Sequence, residues 1–167
     1  MQLYLVRHAI AFERDPQAWP DDRDRPLTPA GRERFRRAAR GLRALGVRPD
    51  AVLSSSYVRA WQTAEILSDA ARWPAPRACA ALEADHRPGD VLDLLDAHAE
   101  AAAVALVGHE PHIHQLESLL VVGDPDRMAN EFRKGGVACL GLDGPAAAGA
   151  AVLLWHATPR LLRAAAG

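Results

Sequence analysis

The sequence predicts an α/β fold: a three-layer α/β/α sandwich with a mostly parallel central sheet, residues 1–167 forming one domain. Three observations lead there. Short apolar runs at 3–6, 51–53 and 101–107 alternate with stretches whose apolar residues recur at helical spacing. The run 101–107 is almost unbroken, as suits a central strand covered on both faces. Each run stops abruptly at polar residues, and helix-start signals follow the second and third.

In chain order, Leu3, Tyr4, Leu5 and Val6 make a first strand that ends at Arg7-His8. Asp15, Pro16, Pro20, Asp21, Asp22, Asp24 and Pro26 break every periodicity across residues 9–26 and leave a long loop beside that strand tip. Thr28 is a good N-cap and Pro29 suits the first helical position. Phe35, Ala38, Ala39, Leu42 and Leu45 then form a buried stripe, and Gly46 ends the helix. Its other faces carry Arg32, Arg34, Arg36, Arg37, Arg40 and Arg43 against a single Glu33. Such a run reads first as a solvated face and second as a docking surface for an acidic protein. After strand 51–53, Ser54-Ser55-Ser56 is expected to cap a helix whose core stripe is Ala60, Ala64, Leu67 and Ala71, with Arg59 in its first turn. Pro74 and Pro76 close that helix ahead of an edge strand near 77–80. Residues 82–89 form a polar loop with Glu83, Asp85 and His86, and Pro88 starts a helix through Val91, Leu92, Leu94 and Leu95. Strand 101–107 runs into Gly108-His109-Glu110-Pro111 and a helix with Ile113, Leu116, Leu119 and Leu120. Two last strands at 135–142 and 150–155 are joined through Asp143-Gly144-Pro145, as a hairpin turn or a longer loop.

The composition is that of an ordinary folded protein, 49% hydrophobic and 25% charged. A net charge of −1 gives no bulk attraction to nucleic acid or an anionic membrane. No apolar stretch is long enough to cross a bilayer, and the first is too short for a secretory leader. Cys79 and Cys139 lack metal or redox spacing and read as two buried thiols in a reducing, cytoplasmic setting. His112 and His114 point to different faces of their helix, which argues against a metal site with His109. No metal or other cofactor is expected. His98 and His156 read as ordinary surface or hydrogen-bonded histidines.

Three strand-to-helix junctions thus carry basic residues: Arg7-His8, Arg59 and Gly108-His109. In a parallel sheet all carboxyl ends share one rim, so these groups converge. Two guanidiniums, two imidazoles and helix N-termini suit a multiply charged oxyanion, phosphate above all. No Walker-type glycine-rich loop offers another cradle.

The motifs that carry this chemistry are Leu5-Val6-Arg7-His8-Ala9, Asp24-Arg25-Pro26-Leu27-Thr28 with Gly31, Ser54-Ser55-Ser56 followed by Arg59-Ala60-Trp61-Gln62-Thr63-Ala64, and Val107-Gly108-His109-Glu110-Pro111. In this order the sequence resembles the histidine phosphatase superfamily, with its phosphoglycerate-mutase-like fold, and most of all its small SixA-type phosphohistidine phosphatases. The resemblance runs from Met1 to roughly the last strand. It implies His8 as nucleophile, with Arg7, Arg59 and His109 holding the phosphoryl oxygens and Arg25 as a further substrate contact. The family's usual glycine after the histidine is here Ala9. Its proton donor aligns best with Glu83, with Asp85 and His86 as rivals, or with none of them if all three are surface residues.

Three readings follow. The first is a metal-independent phosphatase acting on phosphohistidine, with a histidine phosphotransfer protein as partner. The second keeps the chemistry but takes a small phosphomonoester. The third is a phosphoryl-binding module without turnover. A weak proton donor favours the first, because a protonated imidazole leaves as a neutral molecule whereas an alkoxide needs a proton. A mutase is disfavoured, since the chain has no room for insertions that would enclose a bisphosphorylated substrate.

Overall fold

The computed structural model describes residues 1–167. The strands are β1 (Gln2–Arg7), β2 (Ala51–Ser54), β3 (Arg77–Ala78), β4 (Ala103–Gly108), β5 (Val137–Leu142) and β6 (Ala151–Ala157). The helices are α1 (Pro29–Ala44), α2 (Val58–Ile66), α3 (Asp90–Asp96), α4 (His112–Val122) and α5 (Pro159–Ala164). One sheet takes all the strands in the order β3-β2-β4-β1-β5-β6. The first four are mutually parallel, and β5 and β6 add antiparallel pairs on one side.

Strand alternation sorts the core into two layers. Tyr4, Val6, Ala105 and Val107 face α1, α2 and α5, where Phe35, Ala38, Leu42, Ala60, Ala64 and Leu162 meet them. Leu3, Leu5, Val104 and Leu106 face the other way, onto Val91, Leu95, Ile113, Leu116 and Leu120 of α3 and α4. Helices therefore cover both faces, the three-layer arrangement that the sequence predicts.

Thr28 caps α1 as expected, its hydroxyl accepting from the Gly31 N–H at 2.9 Å. Gly31 lies against the 9–26 loop, and a Cβ there would collide with the Ile10 carbonyl oxygen. Gly41 plays the same part against α5, where a Cβ would run into the Leu162 carbonyl. Two close backbone approaches thus fix the ends of α1, one beside the site and one beside the C-terminal helix.

Three expectations are corrected, and one helix adds to them. The serines do not cap α2, whose N-cap is Tyr57 without a side-chain hydrogen bond; Ser55 Oγ instead accepts from the Tyr57 N–H, forming a local turn. The helix stripe through Leu67 and Ala71 is carried by a separate π-helical turn at Leu67–Ala71, closed by Arg72 in the left-handed conformation. Cys139 is buried but Cys79 only partly so. Helix α5 has no counterpart among the sequence expectations, although Thr158-Pro159 repeats the Thr28-Pro29 start signal and Thr158 Oγ1 accepts from the Leu161 N–H.

Candidate active site

Strand register brings the basic tips together. β1 and β4 are neighbours with Arg7 opposite Gly108, so His8 and His109 leave the sheet side by side. β2 lies on the far side of β4 with Ser54 opposite Val107, which sets Ser55 and the start of α2 next to the same tips. β5 runs the opposite way, so the segment before it also arrives at this rim. The Gly135 N–H donates to the carbonyls of Arg7 and His8 at 3.1 and 3.0 Å. The ring centroids of His8 and His109 are 5.3 Å apart.

His8 is only 6% exposed. Its Nδ1 lies 2.7 Å from the Ala9 carbonyl oxygen. A carbonyl can only accept, so Nδ1 carries the proton and Nε2 of the neutral ring keeps its lone pair. Burial, helped by the Arg59, Arg7 and Lys134 charges, lowers the His8 pKa to about 3 against the opposing pull of the Ala9 carbonyl. The ring is therefore neutral at ordinary pH, with one nitrogen free to attack. Ala9 is accommodated because its φ is not left-handed, Arg72 being the one non-glycine residue with positive φ, and its N–H donates to Thr63 Oγ1 at 3.0 Å.

His109 is 2% exposed, and burial first, then the charges around His8 and Arg59, takes its pKa down to about 2. Its Nε2 lies 2.8 Å from Ser55 Oγ, while its Nδ1 has no partner within the protein. Ser55 Oγ also accepts from the Tyr57 N–H. When the same hydroxyl donates its proton to Nε2, the buried Nδ1 of the neutral ring carries the other proton and is a donor without a protein acceptor. The Tyr57 ring packs on this imidazole, with centroids 4.9 Å apart, and the Arg59 guanidinium carbon lies 5.3 Å from the Tyr57 centroid.

Each arginine is held by one end. Arg7 Nη1 donates to the Phe132 carbonyl and lies 3.9 Å from Glu110, leaving its buried Nε unpartnered. Arg59, 5% exposed, donates through Nη1 to the Asp22 carbonyl at 2.7 Å and pairs through Nη2 with the Asp22 carboxylate at 3.1 Å; its Nε has no partner either. Three buried donors around His8 thus lack protein acceptors, a pattern that native interiors tolerate only where a ligand or water answers it. A tetrahedral oxyanion is the natural acceptor for such a set.

Arg25 reaches the rim but is committed within its own loop, to Asp22 Oδ1 at 2.8 Å and the Phe12 carbonyl at 2.7 Å. Asp22 was missed by sequence reasoning. It ties Arg25 and Arg59 together, and the Arg25 hydrogen bond, followed by the Arg59 and Arg25 charges, holds its carboxyl below the usual range. Only its place in an acid-rich loop pointed to it. Glu83, Asp85 and His86 cluster at the mouth of the β2–α2 junction, their polar atoms within 4.8 Å of one another. Glu83 accepts from Ser56 Oγ at 2.5 Å, Asp85 from the Tyr57 hydroxyl at 3.4 Å, and His86 pairs with Asp90 at 3.4 Å. His112 is buried on α4, while His114 turns to Glu110 at 3.4 Å and shares no ligand position with His109. His156 is more than an ordinary surface ring: its Nδ1 lies 3.1 Å from the fully buried Glu117.

Depressed histidine pKa values make stability depend on pH. Between the unfolded value of 6.5 and the folded values of about 3 and about 2, the unfolded chain binds protons that the folded chain refuses. Stability is then complete above about pH 6.5 and falls as pH drops, by roughly 1 kcal/mol per pH unit for each ring. Urea unfolding between about pH 7 and pH 5 checks this, because carboxylates with ordinary or lowered pKa stay ionised there. A flat curve over that window would mean that the rings take up protons freely in the folded protein.

Residues 3–83 match the histidine phosphatase superfamily (branch 1). An uncharacterized protein of Picosynechococcus sp. is 36% identical over 139 residues, 82% of either chain. The structure of the protein histidine phosphatase SixA complexed with tungstate superposes with a TM-score of 0.83 at 27% identity, covering 96% of this chain and 98% of that one. The alpha-ribazole phosphatase from Shigella flexneri shares the fold alone, with a TM-score of 0.71 at 16% identity over 95% and 97% of the two chains. No helix is long and apolar enough to cross a membrane. The order of the motifs, the rim they build and these likenesses agree: the chain is an enzyme of the histidine phosphatase superfamily, a phosphatase hydrolase.

Proposed function

We propose that the enzyme removes phosphoryl groups from phosphohistidine on a protein, as the SixA it resembles is named for, through a covalent intermediate on His8. The observation that carries the reading is the neutral His8 ring, its Nδ1–H held by the Ala9 carbonyl and its Nε2 left among cationic donors. Nε2 attacks phosphorus in line, the Nε2–P bond forming as the bond to the leaving group breaks. Arg7, Arg59 and His109 Nδ1–H neutralise the equatorial oxygens as charge builds on them. Water then attacks phosphorus, the Nε2–P bond breaks, and Nε2 recovers its lone pair as phosphate departs with the water's proton shared between it and solvent.

Leaving-group chemistry selects the substrate. A phosphohistidine side chain protonated on its ring departs as neutral imidazole, whereas an alkyl phosphate must be given a proton. Glu83, the best-aligned donor, is only partly buried and is engaged by Ser56. That suits a substrate that needs little help. Arg25, through Asp22 and the Phe12 carbonyl, braces the loop that carries Asp22 rather than the phosphoryl group itself. The cytoplasmic setting expected from the cysteines fits a signalling phosphoprotein as substrate.

The test compares a phosphohistidine peptide, para-nitrophenyl phosphate and glycerol phosphate, each with EDTA present. The expected kcat/KM for phosphohistidine exceeds that for glycerol phosphate by about 100-fold or more, the usual contribution of one general acid. Glu83→Gln is expected to leave the phosphohistidine rate within about threefold and to depress the alkyl ester further. A preference for glycerol phosphate that Glu83→Gln abolishes would instead favour a small phosphomonoester.

A further inference from the structure

A groove of about 770 Å³, open to solvent, adjoins the site between α1, α5 and the segment before β5. Arg7 and Ala9 line it on either side of His8 in the chain, although His8 itself does not. Its other charged walls are Arg34 of α1, Arg133 and Lys134 of the 131–135 segment, and Arg160 and Arg163 of α5, against Glu131 alone.

Glu131 is already paired with Arg133 at 2.8 Å. Arg34, Lys134, Arg160 and Arg163 have no carboxylate within 4.0 Å. Arg34 is contributed by a helix whose charge run reads, in sequence, as a solvated face; the fold sets it opposite two further arginines from α5. The Gly41 contact with the Leu162 backbone is what permits that approach. Burial and the nearby Arg34, Arg37 and Arg160 charges hold the Arg163 guanidinium below its usual pKa, a sign that like charges crowd here at a cost. Lys134 is close enough to His8 to weigh on its ring. The groove and the phosphoryl site therefore share one positive field.

Resting on the proposed reading of the site, we infer that this groove docks an acidic segment of the phosphohistidine protein, beside the modified residue. The lining decides between an acidic chain and a compact ligand. The hydrophobic side chains of its lining are Ala9, Ile10 and Phe35, and Ala9 and Phe35 are buried, so a nucleobase would find no exposed aromatic wall to stack on. The cations come from three separate elements, α1, the 131–135 segment and α5, rather than from one anion-binding loop. Cations with free ends contributed by several walls match a row of Asp and Glu side chains along a peptide. Complementary charge of this kind raises the encounter rate and sorts partners more than it adds contact energy.

The experiment uses the whole chain, two phosphohistidine peptides and para-nitrophenyl phosphate. One peptide carries Asp and Glu around the phosphohistidine and the other carries Ser and Gly. The expected result is a kcat/KM preference for the acidic peptide of about tenfold at low salt, shrinking at high salt. Arg34→Glu combined with Arg160→Glu is expected to erase the preference and leave para-nitrophenyl phosphate within about twofold, which also certifies the fold. Equal rates on both peptides, or a preference that survives the double substitution, overturns the inference. So does inorganic tripolyphosphate displacing the acidic peptide far more effectively than a second acidic peptide does, which would assign the groove to a small polyanion. Should the enzyme hydrolyse para-nitrophenyl phosphate but neither phosphohistidine peptide, the substrate reading fails on its own. The groove is then judged by binding of the unphosphorylated peptides: charge-selective binding lost in the double variant supports it, and unselective binding refutes it.

Discussion

His8→Asn is expected to lower kcat by about 10⁴-fold or more on every substrate, the scale of removing a covalent nucleophile. Asparagine keeps much of the volume and a polar group near the Ala9 carbonyl, so the buried site is not simply emptied. It lacks the nitrogen lone pair that must bond to phosphorus. What survives is water attack aided by the same donors, and that is slow. Two further readouts separate chemistry from damage. Radiolabelled substrate is expected to leave acid-labile phosphate on the wild-type chain during turnover and none on the variant. The fall in stability below about pH 6.5 is expected to become shallower, because one of the three depressed rings has gone. Full activity in His8→Asn, with the fold intact, would remove the covalent mechanism altogether.

How much of this was legible in sequence follows from which forces are local. Strand tips were readable because an apolar run that stops at Arg7-His8 or Gly108-His109 changes character within two residues. Helix α1 was readable because Thr28, Pro29 and the stripe from Phe35 to Leu42 all act over one or two turns. The part that stayed hidden depends on partners distant in the chain. Gly31 and Gly41 are glycine because of Ile10 and Leu162, and no local signal names those neighbours. Glu117 falls among Ile113, Leu116 and Leu120 on the buried side of α4, where a charge is out of place until His156 and Asn130 arrive to meet it. The α1 arginines read as a solvated surface because α5, the element that makes them a groove, is short and lies far along the chain. For the site, sequence pointed to the groups to which the proposed mechanism assigns formal chemistry. It did not supply Asp22, whose importance lies entirely in what it holds.

That holding leads to the second large effect. Arg59→Ala is expected to lower kcat/KM by about 10²–10³-fold, the scale of losing one preorganised donor to a developing oxyanion. Two losses combine in it. The guanidinium no longer faces the phosphoryl oxygens, and Asp22 loses both the Nη2 pair and the Nη1 bond to its carbonyl. Arg59→Lys is expected to recover only part of the rate, since an ammonium cannot grip Asp22 with one nitrogen while presenting another to substrate. Asp22→Asn separates the two losses. Its amide still accepts a hydrogen bond but no longer anchors two cations, so a decline of about tenfold is expected, carried mostly by kcat because the arginine is present yet loosely aimed. In Arg59→Lys the same Asp22→Asn change has little left to disturb, and the double variant is expected to fall well short of the product of the single effects. Multiplicative losses would mean that Asp22 acts through the loop alone. An Arg59→Lys enzyme with wild-type kcat/KM would mean that charge, and not the fork held by Asp22, is what the phosphoryl group meets.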